Sequence, residues 1–136
     1  MHSPSSRETG AAARRWRLLA SAGLVIAAGL LTHLVGSGPI ADRAGDALYA
    51  VMVYLVIAVA FPRASVVIVG VIALALCAAI EVFQLTGLPA LWAQGFWPVR
   101  LVLGVGFDPG DLVAYALGGG AAAAADFVIG RRRTPR

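Results

Sequence analysis

Apolar residues along this chain gather into four runs, 18–36, 47–61, 65–85 and 112–129, separated by short segments rich in Gly, Pro, Asp and Arg. A helix rises about 1.5 Å per residue, so about 20 apolar residues cross the roughly 30 Å hydrocarbon core of a bilayer. Within lipid each run satisfies its own backbone hydrogen bonds only as a helix. The pattern predicts helices over about 17–36, 45–61, 64–86 and 110–130. The second run is short, so its helix is expected to draw in residues upstream of Asp46 or to thin the bilayer locally. The alternative is a three-helix arrangement with this segment lying in the interface. The expected fold is all-α, an integral membrane four-helix bundle forming one domain over 16–130. A polar, small-residue segment (1–15) expected to be disordered precedes it, and a basic tail (131–136) follows.

Breaks between the runs have recognisable chemistry. Gly36, Ser37, Gly38 and Pro39 end the first helix, and Gly87 and Pro89 end the third. Pro62 and Arg63 allow only a tight turn, which makes helices two and three antiparallel neighbours. Residues 87–110 are irregular but not polar. They hold Trp92 and Trp97, and Trp is favoured at the lipid–water interface. A short interfacial helix or a partly re-entrant loop is expected there. Asp108, Pro109, Gly110 and Asp111 read as a turn and helix start.

Composition fits a membrane protein. The chain is 60% hydrophobic and 13% charged, with no Lys or Asn, and its mean hydropathy of +0.83 leaves too little polar surface for a soluble fold. The basic n-region at Arg14, Arg15 and Arg17 resembles a signal peptide, but the apolar stretch behind it exceeds an h-region of about 7–15 residues. We read it as a retained first helix. Cys77 is the single cysteine, which excludes an intramolecular disulfide and a cysteine-based zinc site. It reads as a small packing residue.

A net charge of +4 does not point to nucleic acid, because the arginines cluster at the two ends of the chain beside apolar runs. Of eleven arginines, those at 7, 14, 15, 17, 63, 131, 132, 133 and 136 fall on one side of a four-helix arrangement, and only Arg43 and Arg100 fall on the other. The excess of positive charge marks the cytoplasmic side. Both termini are therefore expected in the cytoplasm, and the long loop between helices three and four outside. The Arg-only, Ala-rich composition suggests a GC-rich bacterial source, hence a multi-pass protein of the bacterial plasma membrane.

Acidic residues distribute in the opposite sense. Asp42, Asp46, Glu81, Asp108 and Asp111 all belong to outer loops or outer helix ends. Charge in or beside hydrocarbon costs several kcal/mol, on the order of 3, unless paired or hydrated. Asp46 and Tyr49 share a face at i and i+3, as do Glu81 and Gln84, and Asp111 and Tyr115 share one at i and i+4. With Arg100 from the loop, these seven residues form the candidate polar site. In a purely structural alternative, Arg100 pairs with Glu81 or Asp111 and ties the loop down over the helix ends. His33, near the end of the first helix, reads as a hydrogen-bonded interfacial histidine rather than a ligand contact.

These residues have a familiar order. Gly45-Asp46-Ala47-Leu48-Tyr49 opens helix two, Glu81-Val82-Phe83-Gln84-Leu85 closes helix three, Arg100 follows, and Phe107-Asp108-Pro109-Gly110-Asp111-Leu112-Val113-Ala114-Tyr115 leads through Gly118 into helix four. The order resembles that of the VanZ-like small membrane proteins. It looks closer still to a related bacterial family described only as a domain of unknown function. VanZ-like proteins often carry a His after the helix-two acid and an Asn on helix four, where this chain has Tyr49 and Tyr115. The resemblance implies a fold and an outer-facing polar site, not an activity.

Three function classes follow. The first is a non-enzymatic envelope protein binding an amphiphile or envelope precursor at the outer polar site, with Arg100 on an anionic head group. The second is an envelope-lipid-modifying enzyme using Glu81 and Asp111 as an acid–base pair; no activated nucleophile is recognisable, and two histidines cannot supply a His-based metal set. A transporter is the third, though the inner halves of the helices offer few polar residues beyond Asp126. A purely structural ion-pair network is the bland alternative. No cofactor and no metal are expected. Membrane lipids are the expected partners, and the Gly-rich fourth helix offers a face for homo-oligomerisation.

Overall fold

The computed structural model describes residues 6–131, with the side chains of residues 6–9, 11, 33 and 131, His33 among them, outside the described residues. The chain forms α1 (Ser6–Val35), α2 (Pro39–Ala60), α3 (Val66–Gln84), α4 (Leu88–Gly95), α5 (Pro98–Leu103) and α6 (Pro109–Arg131). There is no strand among the described residues. Four of the helices are long and apolar enough to cross a membrane, over Ala12–Thr32, Pro39–Ala60, Val66–Gln84 and Pro109–Gly130.

Several boundaries differ from the sequence pattern. α1 reaches back to Ser6 and takes in most of the segment expected to be disordered, because Ala11, Ala12 and Ala13 favour a helix as much as the apolar run that follows. α2 begins at Pro39, where Gly38 takes a φ of 84° and Pro39 occupies the first turn. That start adds a turn and more upstream of Asp46 and gives the short second run a spanning length. Ser65 caps α3 by accepting from the Ile68 N–H at 3.3 Å. Beyond α3, Gly87 adopts a left-handed φ of 72°, and the segment expected to be irregular holds two short helices, each opened by a proline.

Packing centres on α2, which contacts α1, α3 and α6, while α6 also packs on α3. The core is small: Leu18, Tyr54, Leu55, Ile57, Ala58, Val69 and Ala73 form one cluster, and Ala50, Cys77 and Tyr115 another. The long helices otherwise turn apolar residues outward, such as Leu24, Leu31, Val67, Val71 and Leu117. In water such a surface would aggregate; in lipid it is the solvated face. α4 and α5 pack against α3 and against each other, and Trp92 meets Phe83 with ring centroids 5.7 Å apart.

The glycines of α6 divide by direction. A Cβ on Gly118 would lie inside contact with the backbone of Ala47 on α2. Gly119 faces Leu74 of α3, and Gly120 has open space around it. Much of the small-residue face expected for copies of the chain is thus used within one chain, where it lets α6 approach α2 closely.

Candidate functional site

Two polar clusters sit at opposite ends of the bundle. The first surrounds the start of α6. Glu81, near the end of α3, is fully buried, and each of its carboxylate oxygens is engaged. Oε1 accepts from the Asp108 backbone N–H at 2.6 Å, and Oε2 accepts from the Tyr115 hydroxyl at 3.2 Å. Burial of a carboxylate is tolerable only with partners of this kind. Glu81 therefore ties α3 to the α6 start and to the face of α6 about two turns beyond.

Gln84 lies one turn along α3. Its Nε2 donates to the Leu103 carbonyl at 2.8 Å, while its Oε1 is buried without a partner. Gly104 makes this contact possible: its φ is 64°, and a Cβ there would stand 2.5 Å from the Gln84 amide nitrogen. Tyr49 of α2 donates to the Val102 carbonyl at 2.6 Å and lies 6.2 Å, centroid to centroid, from the ring of Tyr115. The side chains of α2 and α3 thus hold the C-terminal end of α5 by its carbonyls.

Charge at this end is arranged around Arg43. Its guanidinium donates to Asp111 and, at 2.7 Å, to Asp108, with Asp46 4.0 Å away one turn along α2. Asp108 also caps α6, its Oδ1 accepting from the Gly110 N–H at 2.8 Å. The Gly110 N–H and then the Arg43 guanidinium hold the Asp108 carboxyl below the usual carboxylate range. Carboxylates at a helix N-terminus also face the positive end of its dipole.

The structure brings together Asp46, Tyr49, Glu81, Gln84, Asp111 and Tyr115, but not Arg100. Arg100 is exposed on α5 and forms no ion pair among the described residues; Asp111 is paired with Arg43 instead, and Glu81 is held by the Asp108 N–H and the Tyr115 hydroxyl. α5 is a short helix with no buried residue. Arg43 and Asp108 are the members that sequence reasoning missed as site residues. The i, i+3 spacing of Arg43 and Asp46 on one helix was the available signal.

The second cluster lies at the other end and joins helices α1, α2 and α6. Arg14 holds Asp126 through two nitrogens, at 2.5 and 3.4 Å, and donates to the carbonyls of Pro62 at 2.6 Å and Ala64 at 3.3 Å. The Tyr54 hydroxyl, wholly buried, donates to the same Asp126 carboxylate at 2.9 Å. An acid in the alanine-rich run of α6 needs such a partner, and that need was the only sequence signal for this triad.

A family profile described as a protein of unknown function, DUF2809, matches residues 35–119. The chain belongs to this family. The DUF2809 match spans α2 through the first half of α6, so the Arg43–Glu81 cluster lies entirely within it, whereas Arg14 and Asp126 lie outside. No curated protein and no solved structure matches this DUF2809 chain.

The chemistry open to the DUF2809 cluster is limited by access. Glu81 is sealed and both oxygens are engaged, so it offers no route for a proton to a substrate. Arg43, Asp46 and Asp108 retain side-chain exposures of 43%, 28% and 49% and are reachable from outside the bundle. Among the described residues, no group of three or more His, Cys, Asp or Glu is placed to hold a metal ion.

Proposed function

We propose that this protein is a multi-pass protein of the bacterial cell envelope that binds an amphiphile through the reachable rim of the Arg43 cluster. The observation that carries this reading is the imbalance of charge there. Asp46, Asp108 and Asp111 face a single guanidinium. A basic head group, such as an ammonium, restores that balance better than the anionic head group expected when Arg100 was placed in the site. Exposed Trp92 and Trp97 suit a segment at the depth of lipid head groups. The motif likeness to VanZ-like proteins supports the same outer-facing placement. Sealing of Glu81 argues against the acid–base enzyme.

Tryptophan emission of the protein in lipid nanodiscs tests this. A long-chain alkylamine is expected to give a saturable change that a matched alkyl sulfate does not. Asp46→Asn combined with Asp108→Asn is expected to abolish it while the far-ultraviolet circular dichroism stays helical. An equal response to both amphiphiles, or an unchanged response in the variant, defeats the reading. The second reading is a structural tie, favoured by the mutual satisfaction of Arg43, Asp108 and Asp111. It gains if the variant loses thermal stability and neither amphiphile binds.

The orientation that goes with this proposal puts the Arg43 cluster outside and Arg63 in the cytoplasm. Arg63 and Gly95 are both exposed, and Cys77 is buried, so single-cysteine reporters are practical in a Cys77→Ala background. A membrane-impermeant thiol reagent on intact cells is expected to label Gly95→Cys and spare Arg63→Cys. The reverse pattern inverts the topology.

A further inference from the structure

We infer that the cleft between α1, α2 and α6, at the Arg14 end, holds an acyl chain of one anionic membrane phospholipid whose phosphate is bound by Arg17. This is the end opposite the Arg43 cluster, and the inference does not rest on amphiphile binding there. The cleft has a volume of about 140 Å³ and a wall of Leu18, Val25, Val51, Leu55 and Ile129. Arg14, Asp126 and Arg17 line its polar part.

The two arginines of the cleft are not equivalent. Arg14 is satisfied by Asp126 and by two backbone carbonyls. Arg17 donates from Nε to its own helix, to the Ala13 carbonyl at 3.3 Å, and its Nη1 is buried without any partner. A buried donor on a charged group calls for an acceptor. Asp126 is turned to Arg14 and Tyr54, and neither of its oxygens accepts from Arg17 Nη1. Guanidinium groups match phosphate oxygens in geometry and charge.

Depth fixes the kind of phosphate. Arg17 lies in the first turns of the apolar α1 span Ala12–Thr32, where an arginine stem lies along hydrocarbon and its head reaches the polar interface. A lipid phosphate sits at that level with its acyl chains directed along the span, where the cleft presents its apolar wall. Since Asp126 neutralises Arg14, the Arg17 charge is uncompensated within the cleft, which favours a net anionic lipid over a zwitterionic one.

Native mass spectrometry of the full chain, released from detergent with equimolar phosphatidylglycerol and phosphatidylcholine, tests the site. One phosphatidylglycerol is expected to be retained in preference to phosphatidylcholine. R17Q is expected to lower that retention roughly tenfold, the scale of one charge-assisted hydrogen bond. R15Q removes the same charge from an exposed position outside the cleft and is expected to leave retention unchanged. Equal retention of the two lipids overturns the site, as does equal loss in R15Q and R17Q or undiminished retention in a folded R17Q protein. Ser21→Leu fills the cleft with Arg17 intact and is expected to reduce retention as well. Should R17Q fail to fold, unchanged retention in Ser21→Leu overturns the proposal.

Discussion

Asp126→Ala is expected to destabilise the protein by about 3–5 kcal/mol, the range for removing one partner of a buried ion pair. The carboxylate serves two groups that have little access to solvent, Arg14 with 16% of its side chain exposed and Tyr54 with none. In the variant Arg14 keeps the Pro62 and Ala64 carbonyls but loses its countercharge, and the Tyr54 hydroxyl loses the carboxylate it donates to. Thermal unfolding in one detergent, with Asp42→Ala as an exposed control, measures the effect. A midpoint no lower than that of the control would show that the triad does not hold α1 against α6. The double variant Arg14→Leu with Asp126→Leu is expected to recover much of the loss, because an apolar pair avoids the stranded charge.

Gly118→Ala is expected to cost roughly 3 kcal/mol, the upper end for overpacking. The new methyl group would meet the carbonyl and Cα of Ala47, which are backbone atoms and cannot rotate aside. α6 would have to retreat from α2, loosening the Ala50, Cys77 and Tyr115 cluster that lies beside the contact. Gly120→Ala supplies the contrast. Nothing lies within 4 Å of that Cβ, so the substitution is expected to be neutral or to stabilise the helix by up to about 1 kcal/mol. Equal melting of the two variants would refute a close α2–α6 approach. Both effects would also appear in resistance to sodium dodecyl sulfate, where tertiary contacts between helices are lost first.

The polar ends of the molecule explain why so few core residues suffice. Transmembrane helices gain little from burying apolar side chains against each other when lipid is equally apolar, so packing of small residues and interhelical hydrogen bonds decides which helices meet. Here Gly118 sets the α2–α6 distance, Arg14 with Asp126 fastens one end, and Glu81 with Arg43 fastens the other.

By itself the sequence determined the class of the fold, the four spanning helices and most members of the Arg43 cluster. Those properties are local. Hydropathy over about 20 residues identifies a span, Gly38 with Pro39 and Gly87 with Pro89 mark breaks, and helical spacing puts Asp46 beside Tyr49 and Glu81 beside Gln84. Tertiary structure alone decided which cation serves the acids and which acid serves Arg14. Arg43 and Arg100 both lie outside the apolar runs near the same end, and only the packing of α2 against α6 selects the first. Arg14 and Asp126 stand 112 residues apart, and no periodicity links them. The choice rests on the rotation and depth of each helix within the bundle. Those are set by close contacts such as Gly118 on Ala47, which the order of residues along one helix does not encode.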